Sequence, residues 1–380
     1  MSDVEPTMHG LVGRDAGSET IEQPTERPGA ESAGVVSGFE AATAAAVGVD
    51  FGLATATATG GLRLALRAVG VEAGDRVFVP ALAPESTVAA VVDAGATPVV
   101  VDVNPVTYTL GSFSLEAACE RFADATAVVA IHAAGHPAEM HRVGGIARLH
   151  DLAVVEDARG AAGATYQGGR VGSFGDAGCF HAGFGGAGAP DNERAGGVVV
   201  TDDEAVARRG RTLQRRAETD PARADSGVSK PDTARAVAGL AALRRCEPAF
   251  SARRRLVDEY ERRLSGVEGI GRPQPRRDTR HAFTQYVVDT PDRDGLRDAL
   301  ASLGVEASPV GTVVDRAPAE GGRAGERPRA ADSLPAATRL GERLLALPLS
   351  SATERSTVKR ACLGIEAHCR RLALGASDTG

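Results

Sequence analysis

The sequence has 380 residues and a formal net charge of −7 at pH 7. This length allows a large core and indicates two or three domains. A mildly acidic chain without basic blocks is not typical of a protein that binds nucleic acid or an anionic membrane. The five cysteines are dispersed and form no Cys-x-x-Cys pair, so we predict neither a disulfide framework nor a metal site. No signal peptide and no apolar run of about 18 residues is visible, so we expect a soluble, cytoplasmic protein.

The N-terminal region differs in composition from the rest of the chain. Residues 1–36 are rich in Gly, Pro, Ser, Thr and Glu and contain few large apolar groups. Such a segment buries too little surface to offset its ordering entropy, so we predict a mobile arm. Two folded regions are predicted after it, a large α/β domain over residues 37–245 and a smaller α+β domain over residues 246–380.

A turn of small residues follows an extended run that starts at Phe51. It reads Ala56-Thr-Ala58-Thr59-Gly-Gly, and we predict a helix from Leu62. A strand, a small-residue turn and a helix in this order favour anion binding, because free backbone N–H groups and the helix dipole face the turn. An ordinary turn without a ligand is the alternative.

Strands and helices then alternate as far as Asp157. Near-continuous apolar strands separated by helices indicate a largely parallel sheet that is covered on both faces. Ligands of such sheets bind at the carboxyl ends of the strands, and Asp157 follows one of these ends. The predicted strands cover residues 76–80, 97–102, 127–132 and 152–156, and the predicted helices cover residues 86–94, 114–122 and 138–149.

The C-terminal part of the chain is predicted to be mixed α and β. Its helices are predicted over residues 205–217, 233–246, 250–264 and 294–302, with a strand over residues 282–289. A loop rich in Gly, Arg, Ala and Pro covers residues 316–333. A final helix, strand and helix run from residue 336 to about residue 374.

The stretch from Leu152 to Glu204 is the most informative in the sequence. A buried-looking strand ends in Glu156-Asp157, and a short hairpin follows over residues 163–173. Then come Phe-Gly-Asp-Ala-Gly-Cys-Phe, a glycine-rich loop, and the apolar strand Gly-Gly-Val-Val-Val-Thr-Asp. In order and spacing this stretch resembles the DegT/DnrJ/StrS family of fold-type I, pyridoxal-phosphate (PLP) sugar aminotransferases. The pattern of that family is roughly V-I-E-D-A-A-Q-A-H-G-A-x-Y-x-G-x-x-V-G-S-F-G-D-x-G-C-F-S-F, then a lysine, then G-E-G-G-x-V-V-T-x-D.

The resemblance implies a fold, an assembly and a cofactor. The fold is that of a fold-type I PLP-dependent aminotransferase, with a large domain built on a mostly parallel sheet and a smaller α+β C-terminal domain. The assembly is a dimer with its pockets at the interface. PLP is the implied cofactor, with Asp157 at the protonated ring nitrogen and the Ala58-Thr59 turn at the phosphate. His181 stands in the column of a serine that contacts the phosphate, and a packed histidine is the alternative.

The lysine of the family pattern has no counterpart in this chain. In the family it holds PLP as an internal aldimine and moves a proton during catalysis. Counting from the flanking motifs puts Gly186 or Ala189 in its column, so we predict no catalytic residue there. The two lysines of the chain, Lys230 and Lys359, lie outside the motif. We therefore expect that any PLP binds reversibly and not as a lysine aldimine.

Other positions also depart from the family pattern. Pro84 replaces an aromatic residue that stacks on PLP, and Gly160 and Ala162 replace a glutamine and a histidine. The segment from Gly227 to Asp232 replaces G-Y-N-Y-R-M, whose asparagine reaches the partner's phosphate. Together these changes predict a pocket that has lost most of its contacts to PLP.

These observations predict a catalytically degenerate relative of the nucleotide-sugar aminotransferases of polysaccharide or antibiotic-sugar synthesis. Its expected partners are a second copy of itself or an active paralogue, with a nucleotide sugar as ligand. One alternative is a PLP or pyridoxamine-phosphate (PMP) enzyme that acts on a keto sugar without a lysine. Another is a working aminotransferase whose lysine comes from elsewhere in the sequence.

Overall fold

The computed structural model describes residues 28–184, 196–219, 227–310, 313–314 and 329–377. The two candidates for the lysine column, Gly186 and Ala189, lie outside the described residues. Most of the predicted N-terminal arm also lies outside them.

The strands of the described residues are short, and many are apolar and buried. They are β1 (Phe51–Thr55), β2 (Arg76–Pro80), β3 (Thr97–Val101), β4 (Ala125–Ile131), β5 (Ala153–Asp157), β6 (Thr165–Tyr166), β7 (Gly169–Arg170), β8 (Ala177–His181), β9 (Gly197–Thr201), β10 (Thr279–Arg280), β11 (Tyr286–Asp289), β12 (Ser308–Pro309), β13 (Arg329–Ala330) and β14 (Leu344–Leu347).

The helices alternate with the strands in the first half of the chain and become longer after it. They are α1 (Pro28–Val47), α2 (Ala58–Val69), α3 (Glu85–Asp93), α4 (Ser112–Arg121), α5 (Met140–Leu149), α6 (Glu204–Thr219), α7 (Thr233–Leu264), α8 (Arg293–Ser302), α9 (Pro335–Gly341) and α10 (Arg355–Ser377).

Eight strands form the main sheet, in the order β1-β9-β8-β5-β4-β2-β3-β13. Strand β9 is antiparallel to β1 and β8, and the other neighbours are parallel. Side chains of one strand alternate between the two faces, so Val77 and Val79 pack with α2 and α3 while Phe78 packs with α4 and α5. The predicted mostly parallel sheet with helices on both faces is therefore present.

A second apolar core lies in the C-terminal part of the chain. It combines the end of α7 with α8, α10 and the three-stranded antiparallel sheet β11-β14-β12. Leu256, Tyr286, Leu345 and Ile365 are buried in it. This arrangement is the predicted α+β region. The exact boundary after residue 245 stays a prediction, because α7 runs continuously through it.

The prediction of two helices over residues 233–264 was wrong. Helix α7 is continuous over 32 residues, with Pro248 inside it. Proline has a backbone angle that suits a helix and lacks one N–H donor, so it weakens a helix without always ending it. Cys246 and Phe250, on either side of Pro248, are both buried in a shared core. This packing stabilises the helix across the proline.

Three other element bounds differ from the sequence predictions. Helix α1 begins at Pro28, so residues 28–36, which were predicted to belong to the mobile arm, are helical. Helix α2 begins at Ala58 and not at Leu62, because Thr57 caps it. Strand β13 lies within a stretch predicted as a loop and pairs with the edge strand β3. None of the described helices combines the length and the apolarity needed to cross a membrane.

Candidate functional site

Asp157 ends β5, which lies between β4 and β8 in the main sheet. These strands are parallel, so Asp157 lies at their carboxyl edge, which is where ligands of such sheets usually bind. The carboxylate is buried, with 3% of the side chain exposed. Thr87 of α3 is also buried and donates from Oγ1 to Asp157 Oδ2 at 2.8 Å.

Arg159 turns back onto the same carboxylate. Its Nε donates to Asp157 Oδ1 at 2.9 Å, and its Nη2 donates to Oδ2 at 2.8 Å. The same Nη2 donates to Thr87 Oγ1 at 2.7 Å. Only 8% of the Arg159 side chain is exposed. Asp157 and Arg159 therefore form a buried two-point ion pair, a geometry that fixes orientation as well as charge.

The third guanidinium nitrogen reaches away from Asp157. Arg159 Nη1 lies 3.2 Å from Ser86 Oγ and 3.4 Å from Thr59 Oγ1. The guanidinium thus extends from the end of β5 to the turn before α2. It links two of the residues that the sequence predicts to bind the cofactor, Asp157 and Thr59.

The pKa of Asp157 reports the balance of these contacts. Burial by itself raises the pKa of a carboxyl group, because the charged form loses its hydration. The charge of Arg159 and the hydrogen bonds from Arg159 and Thr87 act in the opposite direction and outweigh burial, so the pKa of Asp157 lies below its ordinary value. Asp157 is therefore a carboxylate at neutral pH, held as such by Arg159.

The turn before α2 is fixed by its own cap. Thr57 Oγ1 accepts the backbone amide of Gly60 at 2.9 Å, as in a typical helix N-terminus. Ala58 is buried, and its carbonyl lies 3.7 Å from the Cys179 thiol. The predicted strand, turn and helix are present, with Ala58 and Thr59 in the first helical turn.

A second segment covers this turn. The carbonyl of Ser229 accepts the Ala56 amide at 2.8 Å, and the carbonyl of Gly227 accepts the Thr57 amide at 3.2 Å. Gly227 has a φ of +66°, and a Cβ there would lie 2.1 Å from Thr57 Oγ1, so this position requires glycine. The segment that resembles a partner-contacting region in sequence thus packs on the turn of its own chain.

His181 ends β8, the strand beside β5. Its ring is buried, and Nδ1 accepts the Gly183 amide at 3.1 Å. It pairs with Gly197 of β9, and a Cβ on Gly197 would meet Ala58 Cα at 2.9 Å. His181 is therefore at the same edge of the sheet as the α2 turn. A contact between His181 and a phosphate stays a prediction.

Glu156, the neighbour of Asp157, points to a different set of partners. Its carboxylate accepts the backbone amides of Gly172 at 2.7 Å, Phe174 at 2.6 Å and Gly175 at 2.8 Å. His132 Nε2 lies 2.9 Å from it, and His132 Nδ1 accepts the Ala138 amide. Because Nδ1 accepts, the ring proton is on Nε2 and is donated to Glu156. Glu156 thus ties the hairpin after β5 to the end of β4.

Neither of the two lysines is among the described hydrogen-bond partners of the Asp157 carboxylate. Lys230 follows Ser229 in the segment that covers the α2 turn, and its side chain is exposed. Lys359 is exposed on α10, where its neighbours Val358 and Cys362 pack in the C-terminal core.

These residues do not fit PLP in the orientation that the resemblance implies. An aspartate keeps the ring nitrogen protonated by accepting its hydrogen bond. Both oxygens of Asp157 already accept from Arg159, and the guanidinium lies between Asp157 and Thr59, the positions implied for the ring nitrogen and the phosphate. No catalytic step through PLP follows from this geometry.

Sequence reasoning missed Arg159, Ser86 and Thr87. The signal for Arg159 was present: it is a single charged residue in a run of small ones, Ala158-Arg-Gly-Ala-Ala-Gly163, where the family pattern has alanine. Ser86 and Thr87 carried no signal, because polar residues in the first turn of a helix are common.

Comparison with known proteins supports one family. The profile of the DegT/DnrJ/EryC1/StrS aminotransferase family matches residues 29–366. The GDP-perosamine synthase of Caulobacter vibrioides is 35% identical over 283 residues, which cover 72% of this chain and 75% of that protein. The UDP-N-acetyl-3-dehydro-alpha-D-glucosamine 3-aminotransferase of Acidithiobacillus ferrooxidans is 32% identical over 331 residues, which cover 85% of each.

Solved structures give the same result. The structure of S. venezuelae DesV with a ketimine intermediate superposes with a TM-score of 0.77 at 31% identity, covering 88% of this chain and 89% of DesV. DesI with its TDP-sugar product gives a TM-score of 0.75 at 27% identity, covering 91% of this chain and 88% of DesI. The predicted fold class is confirmed.

Proposed function

The chain belongs to the DegT/DnrJ/EryC1/StrS aminotransferase family, and we propose that it is a member that no longer transfers amino groups. It is related to the nucleotide-sugar aminotransferases, and the family depends on PLP. In this role the protein still binds a nucleoside-diphosphate sugar but does not catalyse amino transfer. Its role is then that of a ligand-binding or partner subunit in the synthesis of an amino sugar.

The placement of the lysines carries this proposal. Transamination by a PLP enzyme needs a lysine amine within bonding reach of the cofactor aldehyde, and that amine must be held in a fixed position. The chain has two lysines, and the side chains of both are exposed. Arg159 is no substitute, because a guanidinium stays protonated at working pH and cannot form the aldimine.

Labelling with PLP tests the proposal. The purified protein is incubated with one equivalent of PLP, reduced with borohydride and mapped by mass spectrometry, with an active family member as a positive control. We expect no pyridoxyl group at stoichiometric yield and no absorbance band of an internal aldimine. A stoichiometric adduct on Lys230 would contradict the proposal and would identify the relocated amine, since Ser229 beside it contacts the α2 turn.

A second candidate function is a lysine-independent PMP enzyme that acts on a keto sugar. The position of buried His181 at the edge of the sheet near the α2 turn favours it, because a histidine there could exchange a proton with a bound group. Turnover of a nucleoside-diphosphate keto sugar with added PMP, lost in His181→Ala, would support this candidate over the first.

The assembly is part of the proposal. A family member without chemistry is retained as a homodimer or as the partner of an active paralogue, and stable dimers of this kind bury roughly 2,000 Å² or more. Sedimentation of the protein alone and with a lysine-bearing relative distinguishes the two. A chain that stays monomeric in both samples would contradict this part. A cytoplasmic location also stays a prediction.

A further inference from the structure

We propose that the Arg159 guanidinium is an internal cation that takes the place of the cofactor's protonated ring nitrogen at Asp157, so that the chain folds with this pocket already filled. This role rests on the proposed function, because an enzyme that still used the pocket for PLP could not keep it filled. It also explains why PLP would not bind: Arg159 occupies the position of the cofactor, in addition to the contacts that the pocket has lost.

The donors of Arg159 match the acceptors of Asp157. A protonated pyridine offers Asp157 one charged N–H, whereas Arg159 offers two in a planar fork. Nε and Nη2 lie 2.9 and 2.8 Å from the two carboxylate oxygens. Thr87 Oγ1 also donates to Oδ2, at 2.8 Å, and the Arg159 backbone amide donates to Oδ1 at 3.3 Å, so four donors occupy the carboxylate. A ring nitrogen therefore has no acceptor position left at Asp157 unless the guanidinium moves away.

The Arg159 side chain lies inside the protein and not in solvent. A surface arginine that pairs with a strand-end aspartate would point into solvent, and its exposure would be high. The Arg159 side chain is only 8% exposed, and its Nη1 continues to Ser86 and Thr59. The guanidinium therefore lies along the line from the end of β5 to the N-terminus of α2. That is the space a ring with a phosphate at its other end would need.

An empty pocket at Asp157 would cost free energy. A buried carboxylate without a partner is unstable, and the ordinary responses are protonation or a nearby cation. In a cofactor-dependent protein the cofactor supplies that cation, so the apo form carries an unpaired acid. In this chain Arg159 supplies it from two residues away. The pocket is thus complete within one polypeptide.

The role of Arg159 is tested by measuring PMP affinity. PMP has the ring and the phosphate but no aldehyde, so it cannot react with Lys230 or Lys359. Equilibrium dialysis of wild type and Arg159→Ala is expected to show at least about tenfold tighter PMP binding by the variant, a difference of about 1.4 kcal/mol. Adding Asp157→Ala to the variant is expected to remove the gain.

Arg343→Ala is the matched control. Arg343 Nε lies 2.5 Å from Asp289 Oδ1, so this variant also removes an arginine from a partly buried acid, but at β11 in the C-terminal sheet. Its PMP affinity is expected to equal that of wild type. If Arg159→Ala does not fold, Arg159→Ser is used instead, because its hydroxyl can donate to Asp157 and still leaves the ring-sized space open.

Two results would overturn the role of Arg159. One is equal PMP affinity in wild type and in the folded variant, and the other is no PMP binding by the folded variant. Neither touches the placement of the lysines, so the proposed function would stand. A stoichiometric lysine adduct in wild type would have the opposite effect, since it would contradict the proposed function while the PMP comparison still decided the role of Arg159.

Discussion

Glu156 and Asp157 are adjacent buried acids at the end of one strand, yet they are held in opposite ways. Three backbone amides and His132 satisfy Glu156, whereas side chains, Arg159 and Thr87, account for the charge and most of the contacts of Asp157. A carboxylate bound by backbone amides depends on the path of the chain. A carboxylate bound by side chains depends on single residues, so one substitution can change what it binds. Glu156 is therefore held mainly by the path of the chain, and Asp157 mainly by two individual side chains.

The largest effect is expected from Glu156→Ala. It leaves the buried Gly172 amide, the partly buried amides of Phe174 and Gly175, and the His132 ring without their acceptor, and each unsatisfied buried group costs about 1–3 kcal/mol. We expect a loss of about 4 kcal/mol or more in the free energy of unfolding, measured by urea denaturation. Glu116→Ala, at an exposed glutamate of α4, is the control and should change stability little. A loss below about 1 kcal/mol for Glu156→Ala would remove the distinction between the two acids.

The next largest effect is expected from Arg159→Ala without ligand. Removing one partner of a buried ion pair typically costs about 3 kcal/mol or more, because the other charge stays buried and unpaired. Asp157→Asn combined with Arg159→Ala should cost less than the sum of the two single changes. Additive effects in this double-mutant cycle would show that the two side chains do not act as a pair.

Two histidines extend the comparison to pH. His132 has Glu156 as its partner, whereas His136 Nε2 has no hydrogen-bond partner among the described residues. Burial, and then the charges of Arg276 and His132, lower the pKa of His136 from 6.5 to about 4. The unfolded chain therefore binds a proton at His136 more readily than the folded chain does. The stabilising contribution of neutral His136 to the free energy of unfolding is complete above pH 6.5 and is lost as the pH falls towards 4.

His136→Gln should consequently flatten the fall in stability between pH 6.5 and 4. The expected difference between wild type and variant across that window is about 2 kcal/mol in the free energy of unfolding. His141→Gln, at an exposed histidine on α5, is the control. Parallel stability curves for wild type and His136→Gln would contradict the expectation.

The smallest effect concerns the pH dependence of Arg159→Ala itself. With Arg159 present, the pKa of Asp157 is below its usual value. The ion pair therefore stabilises the fold at neutral pH, and this stabilisation is lost in acid. Without Arg159, burial dominates and raises that pKa, which favours the protonated fold at low pH. The difference in the free energy of unfolding between wild type and Arg159→Ala should therefore decrease by about 1 kcal/mol from pH 7 to pH 4. A gap that widens in acid would show that Asp157 finds another cation.

The sequence predicted the main sheet and the place of Asp157 at its carboxyl edge, because both depend on local patterns. Apolar runs predicted the strands of the main sheet, and their carboxyl ends led to Asp157. It did not predict the continuous helix α7, since a proline normally argues against one and only packing around Cys246 and Phe250 offsets it. It also missed β13, a two-residue strand whose only signal is its neighbour β3.

The partners of Asp157 show the same limit more sharply. The family pattern identifies which side chains have been lost, such as the aromatic residue at Pro84. It does not identify what fills the space, because Arg159 meets Ser86 and Thr87 more than 70 residues away in sequence. The contacts that Arg159 makes are visible only in the folded structure. A comparison with the family pattern, position by position, shows only which side chains are missing.

A crystal structure of the wild-type protein grown with excess PMP tests the central claim most directly. We expect the guanidinium of Arg159 on the carboxylate of Asp157, with nitrogen–oxygen distances near 2.9 Å at both oxygens, and no pyridine ring beside them. A PMP ring whose nitrogen contacts Asp157, with Arg159 displaced from the carboxylate, would contradict it.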